Sequence, residues 1–197
     1  MRFSLLSILL LAAAVACGPN TEDTVLPVSA DPMPSKIVRA GDAESVENPF
    51  HPVKMMLSSQ ENVGEVTIYE FEVPAQSAGS PPHTHTLEDE YFFILEGRLD
   101  IMNGDRLDVL REGDFASLSR GDIHMFWNSS DAPVRLLMMT TGGSFEAFIG
   151  AVAPRLADAQ PANSMEAGAV VGQLASEHGI TISMDRMPAQ AATYYQP

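Results

Sequence analysis

Cysteine is almost absent: Cys17 is the single one in 197 residues. One thiol excludes an internal disulfide, so packing alone must hold the fold together. Basic residues are scarce as well, with 11 Lys and Arg against 26 Asp and Glu and a formal net charge of −15. A chain this acidic repels nucleic acid and anionic lipid surfaces, and no nucleic-acid partner is expected. Beyond the N-terminus no apolar run is long enough to cross a membrane. There is no internal repeat, which excludes a duplicated domain. What remains is 45% apolar residues, enough for one domain with a sizeable core and some peripheral segments.

Histidine is also rare, yet three of the five fall in two short segments. His83 and His85 are two residues apart, so on a strand both imidazoles point to one face. Glu90 follows across a short turn, and His124 arrives from a later strand. Three imidazoles and one carboxylate converging inside a β-structure can hold one divalent transition metal and leave coordination positions open. Iron, manganese, nickel, copper, cobalt and zinc all suit such a set. The methionines near the strands, such as Met102, Met125, Met138 and Met139, are read as core filling and not as copper ligands. His51 and His178 are read as surface or packing residues, and Glu88 and Asp89 as solvated turn charge.

The middle of the chain is a succession of short strands punctuated by turn residues. Strands are expected over Val53–Ser58, Val63–Val73, Tyr91–Leu95, Arg98–Met102, Arg106–Leu110, Phe115–Leu118, Ile123–Asn128 and Val134–Thr141. Asn103-Gly104 is a strong hairpin signal, since both residues tolerate positive φ. Alternation predicts that Phe92 and Ile94 point inward with Glu90, and Phe126 and Asn128 with His124. These four are the candidate lining of a substrate pocket for a small molecule. The opposite faces, Tyr91, Phe93 and Leu95 and then Met125 and Trp127, are apolar too and need a cover. That cover is either the chain's own ends or a second subunit, and a homodimer is the expectation. Many short strands with Gly-rich turns make the class all-β, a sandwich or barrel.

Two motifs then carry a resemblance to the cupin superfamily. His83, His85, Glu90 and Gly97 meet the spacing of the family's first motif, although Gly79 lies closer to His83 than that motif asks. Gly113, Gly121, His124 and Asn128 match the second, with Ser119 where proline is usual. The likeness covers roughly residues 53–150. It implies a small double-stranded β-barrel of jelly-roll type with flanking short helices, and His83, His85, Glu90 and His124 as metal ligands. It also selects Glu90 over its acidic neighbours, as ligand, base or both. The Gly142-Gly143-Ser-Phe145-Glu-Ala-Phe148 and Ala175-Ser-Glu-His-Gly179-Ile segments extend the resemblance to the flavonol 2,3-dioxygenase-like cupins. That implies a metal-dependent dioxygenase acting on a small aromatic or enolic compound, with Glu90 taking a proton. The alternatives are a metal-dependent lyase or isomerase on a small carbonyl compound, and a non-catalytic binding cupin.

The ends have their own signals. Arg2, the apolar run Leu5–Val15 and Ala14-Val15-Ala16 form a signal peptide over residues 1–17, so the protein is expected to be exported, to a periplasm. Cys17 directly follows the cleavage site, resembling a bacterial lipoprotein signal in which that cysteine is lipidated and tethers the protein to a membrane. An ordinary secretory signal cleaved after Ala16 is the other reading. Residues 18–48, rich in Pro and polar residues, read as a flexible linker, residues 49–153 as the barrel, and 154–197 as a C-terminal helix and tail. Phe145–Val152 is expected to be a short helix ended by Pro154. Ser164–His178 is expected to be a second helix, capped by Ser164 and ended by Gly179. Ile180–Ser183 reads as an edge strand, and the residues from Pro188 as disordered.

Overall fold

A computed structural model describes residues 33–39 and 41–195. The signal peptide, Cys17 and most of the linker lie outside the described residues. The strands are β1 (Glu44–Val46), β2 (Val53–Leu57), β3 (Val66–Val73), β4 (Ser77–Ala78), β5 (His83–His85) and β6 (Glu90–Glu96). They continue as β7 (Arg98–Asn103), β8 (Arg106–Arg111), β9 (Phe115–Leu118), β10 (His124–Asn128), β11 (Val134–Thr141) and β12 (Ile180–Ile182). Two helices, α1 (Ser144–Ala159) and α2 (Ser164–Glu177), lie between β11 and β12. All strand pairs are antiparallel. One sheet runs β1-β2-β3-β11-β6-β9, and the other β12-β5-β10-β7-β8 with β4 also on β10.

The alternation of the strands builds this two-sheet jelly roll. Along β3 and β11 every second residue is buried, so Tyr69, Phe71 and Val73 face inward beside Val134, Leu136 and Met138. Phe92 and Ile94 of β6 meet them from the next strand. Leu99, Ile101 and Phe126 close the core from the opposite sheet. The Phe126 ring stands edge-on to Phe92 and Phe71, at 5.2 and 6.0 Å between centroids. The all-β jelly-roll expectation is met.

The outer face of β10 has a cover from its own chain. Met102, Met125 and Trp127 pack under Met187, Ala191, Tyr194 and Tyr195. The tail is therefore not disordered as its composition suggested: a short 3₁₀ turn spans Ala192–Tyr195, and Ala191 is fully buried. Tyr195 donates its hydroxyl to the carbonyls of Ser80 and Phe126, fixing the tail to the loop before β5.

Other boundaries differ for local reasons. Pro154 does not end α1; the helix runs through it to Ala159, held by the buried Ile149 and Val152. Asn163, not Ser164, caps α2, its side-chain oxygen accepting from the Glu166 N–H at 3.0 Å. The hairpin loop is Gly104-Asp105, one residue later than expected, since only Gly104 takes a positive φ, +62°. The strand expected from Val63 starts at Val66, after a turn tied by the Asn62 side chain. The chain already pairs at β1, inside the segment read as linker.

Candidate metal centre

Both sheets contribute to one cluster. β5 and β10 are neighbours, and His83 lies directly opposite His124. His85 follows on the same face of β5, and Glu90 projects from the first position of β6 in the other sheet. The four offer ligand atoms that all lie within 4.8 Å of one another, and all four side chains are buried. The spacing expected to bring these residues together does so.

Hydrogen bonds fix the state of each imidazole. His83 Nδ1 lies 2.8 Å from the Pro81 carbonyl, His124 Nδ1 2.9 Å from the Asp122 carbonyl, and His85 Nδ1 3.3 Å from the Glu88 carboxylate. Carbonyls and carboxylates only accept, so each Nδ1 must carry the proton. Each neutral ring therefore presents a bare Nε2 lone pair. Yet His83 Nε2 and His85 Nε2 are 3.0 Å apart, and His124 Nε2 is 3.0 Å from Glu90 Oε2. Four acceptor atoms face one another with no donor among them. Such a cluster needs a cation, either a proton on one ring or a metal ion bound by all four. The chemistry of this donor set fits one divalent transition ion.

The local electrostatics agree. Burial and the neighbouring His124 hold the His83 imidazole down to about 3, so it is neutral at ordinary pH. Burial lowers His85 too, but its hydrogen bond to Glu88 and the charges of Glu90 and Glu88 outweigh that and raise it. Burial pushes Glu90 up, while positive charge among the imidazoles, with a proton on His124 Nε2 donated to Glu90, more than offsets it and holds its carboxyl below the usual range. Glu90 is thus a buried side chain held as a carboxylate by a cation among the imidazoles.

The neighbours of Glu90 are not solvated turn charge. Glu88 is 1% exposed, with one oxygen on His85 and the other, Oε1, buried without a partner. Asp89 holds the guanidinium of Arg120 through both oxygens at 3.1 and 2.9 Å and accepts the Arg120 N–H. These contacts pull its carboxyl down to about 2 and clamp the turn carrying Glu90 to the turn before His124. Sequence reasoning missed Glu88. The available signal was three consecutive acids beside two histidines, more negative charge than one ligand position needs.

The expected pocket residues divide. Phe92, Ile94 and Phe126 do point inward, where they pack against each other behind the ligands. Asn128 is inward too, but its amide is committed elsewhere. Nδ2 donates toward the Val73, Pro74 and Ala132 carbonyls, and Oδ1 accepts from Ser130 N and Oγ. It staples two turns and has nothing left for a ligand. Gly79, displaced in the motif, is pressed on Phe126: a Cβ there would sit 2.4 Å from the Phe126 carbonyl oxygen. Phe145 at the start of α1 covers the cluster, its ring 5.5 Å from His85. Glu146 anchors that helix end, accepting from Ser58 Oγ, Ser59 N and Thr67 Oγ1 at 2.6 to 2.8 Å.

Residues 69–140 match the model of the Cupin domain. No protein of curated function matches the sequence significantly. Among solved structures, a predicted oxalate decarboxylase from Thermotoga maritima is similar over 54% of this chain and 98% of its own, at 18% identity and a TM-score of 0.49. The polyketide cyclase RemF from Streptomyces resistomycificus is 23% identical over 54% of this chain and 79% of its own, with a TM-score of 0.46. A sugar phosphate isomerase from Silicibacter pomeroyi is 21% identical with a TM-score of 0.43; 47% of this chain spans only 59% of that protein. The segment that matches the Cupin domain, residues 69–140, spans His83, His85, Glu90 and His124, so the candidate metal ligands all lie within the part of the chain that is similar to that family.

Proposed function

We propose that this protein is a metal-dependent, dioxygenase-like enzyme acting on a small aromatic or enolic compound. The observation that supports it is the set of three Nδ1-tethered imidazoles and one ionised carboxylate converging in a buried site. When bound, a divalent ion supplies open coordination positions and Lewis acidity for an enol or catechol. His83, His85 and His124 hold it in neutral form, each oriented through Nδ1. Glu90 takes the proton that the substrate hydroxyl releases, the carboxylate being already ionised and 3.0 Å from His124. The packed rings of Phe92, Phe126 and Phe145 exclude water from the reacting centre.

Metal content by mass spectrometry on the protein and on His83→Ala and His124→Ala comes first. Near-stoichiometric metal in the protein alone is expected; none after reloading with a divalent panel would remove the enzyme reading. Oxygen consumption with flavonols and catechols then separates the reactions. Substrate loss without oxygen uptake would favour a lyase or isomerase. Binding without turnover, unchanged in Glu90→Gln, would make the domain a binding module.

Export is part of the same reading. With Cys17 lipidated, the protein is held at a bacterial membrane through the Pro-rich segment that follows. Cys17→Ala should move it from the membrane fraction to the soluble one. A homodimer, if it forms, uses the outer face of β6 and β9, where Phe93 and Phe115 pair in register and stay exposed, since the chain's own tail takes the outer face of β10. Sedimentation of the protein against Phe93→Glu tests this, and a monomer in both removes it.

A further inference from the structure

Two hydroxyls buried near the metal ligands have no partner. Among the described residues, five buried side-chain polar atoms lack a hydrogen bond, and Tyr69 Oη and Thr140 Oγ1 are two of them. Tyr69 is 1% exposed and Thr140 fully buried. Leaving such a group unsatisfied costs about 1–3 kcal/mol. A fold that keeps two in the same region keeps them against its own stability.

Register places both beside the ligands. Thr140 is the direct cross-strand partner of Glu90, and both face inward. The same rung continues to Thr67 on β3, whose hydroxyl is already used by Glu146. Tyr69 stands on the next inward rung, with Met138 and Phe92. Its ring lies edge-on to Phe145 at 6.3 Å, and Phe145 lies edge-on to His85 at 5.5 Å. The Tyr69 ring is therefore at the α1 end of the jelly roll, the end that holds the metal ligands. Burial, with the charge of Glu146 added, pushes its ionisation up, so it remains a hydrogen-bond donor. The remaining orphans differ: Glu88 Oε1 belongs to the carboxylate on the Nδ1 side of His85, while Ser80 Oγ and Arg98 Nε lie on other segments.

We propose that Tyr69 and Thr140 form the ligand-recognising wall of this site, donating hydrogen bonds to the oxygens of a small, uncharged compound with an enol beside a carbonyl. The proposal rests on the metal-site reading above and names its substrate class. The charges around the wall select that class. Its ionised neighbours, Glu90 and Glu146, are both carboxylates, and among the described residues no Lys or Arg is buried in the core. A phosphate or a dicarboxylate would meet only negative charge there. A neutral hydroxy-ketone brings acceptors for two hydroxyl donors, two oxygens for a metal, and a flat apolar body for Phe92, Met138 and Phe145.

The test uses Tyr69→Phe and Thr140→Val, which delete the hydroxyl and keep the shape. Two quantities are read: the melting temperature of the metal-free protein, and the affinity of the cobalt-loaded protein for maltol, a neutral hydroxypyrone followed by its absorbance. Cobalt content is checked in each. The expected result is a melting temperature unchanged or raised, with maltol bound about tenfold more weakly in each variant, the effect of one lost hydrogen bond. Maltol bound equally by the variants and the parent overturns the inference and leaves the metal reading standing. A melting temperature lowered by either substitution assigns that hydroxyl to the fold and overturns it as well. Failure of the cobalt-loaded parent to bind maltol overturns the inference alone, whereas failure of the parent to hold cobalt overturns the metal reading with it.

Discussion

Glu88 is the residue whose substitution is most informative about the metal centre. It is buried at 1% exposure, and its hydrogen bond is the one from His85 Nδ1 at 3.3 Å. A carboxylate there fixes the tautomer of His85 and increases the electron density at Nε2, the atom that would meet the ion. Losing such an outer partner typically lowers metal affinity by about 10–100-fold, which is about 1.4–2.7 kcal/mol. Glu88→Gln keeps an oxygen for the Nδ1–H but removes the charge, so it belongs at the lower end of that range. Glu88→Ala also removes the acceptor and leaves a buried N–H unpaired, so it belongs at the upper end.

The assay must avoid a compensating effect. Without metal, Glu88 also raises the affinity of His85 for a proton, and that proton competes with the ion. Removing Glu88 would relieve the competition and hide part of the loss. The competition weakens as pH rises, so the comparison is made at about pH 8 and again at about pH 9, both above the ordinary imidazole value. Cobalt affinity measured there, in competition with a chelator, should fall for Gln and further for Ala. Affinities within twofold of the parent for both variants would refute the reasoning, and Glu88 would be only a buried ion-pair partner.

Three further outcomes are expected. Asn128→Ala should destabilise the protein by about 3 kcal/mol in urea unfolding, because three carbonyls and the Ser130 N–H lose a buried partner; a loss under about 1 kcal/mol would contradict the staple assignment. Truncation after Met187 should uncover Trp127, the one tryptophan, and shift its emission to the red, whereas unchanged emission would mean that the tail does not cover that face. Asp89 contributes to the acid dependence outside the metal cluster, beside the lowered carboxyls of Glu61, Glu146 and Glu177: its folded value is depressed from 3.8 to about 2, so its stabilisation is present above about pH 4 and lost as pH falls toward 2. Asp89→Asn should flatten that part of the acid-denaturation curve, and an unchanged slope would assign the acid transition to other groups.

The ligand set was legible because strand geometry is local. Two histidines at i and i+2 must share a face, and Glu90 and His124 each open a strand whose alternation is clear in the sequence. The hairpin at Asn103-Gly104 was legible within one residue for the same reason. The rest depended on contacts far apart in the chain. Glu88 is buried in a segment that meets the returning chain, where Ile180 pairs with His85 and the Gly179 carbonyl accepts from Thr86. No periodicity within residues 86–89 announces that. The tail looked disordered because it is rich in Ala, Pro and Gln, yet Tyr194 and Tyr195 are the aromatic content that disordered tails lack, and they make the contacts. Asn128 matched its motif position, but only the structure shows its amide spent on three carbonyls.

The charges buried at this centre also limit its chemistry. Glu88 and Glu90 bring two negative charges within reach of His85, and the nearest guanidinium, Arg120, is already spent on Asp89. Buried charges must be compensated, and a divalent ion among three neutral imidazoles brings the total to zero. A substrate that enters neutral keeps it there, and so does the transfer of its proton to Glu90, because the proton never leaves the pocket. A substrate that enters as an anion leaves the interior one charge short, and the hydroxyls of Tyr69 and Thr140 can soften that cost without cancelling it. The same balance predicts how Glu90→Gln behaves. It removes the base and one compensating charge together, so a neutral enol should bind with its proton retained, while the enolate of the same compound, already deprotonated, should bind more tightly than it does to the parent. Measured across the ionisation range of maltol, the affinity of the variant should rise with pH relative to that of the parent. A parallel pH dependence in the two proteins would mean that Glu90 does not hold the charge that the substrate proton must meet.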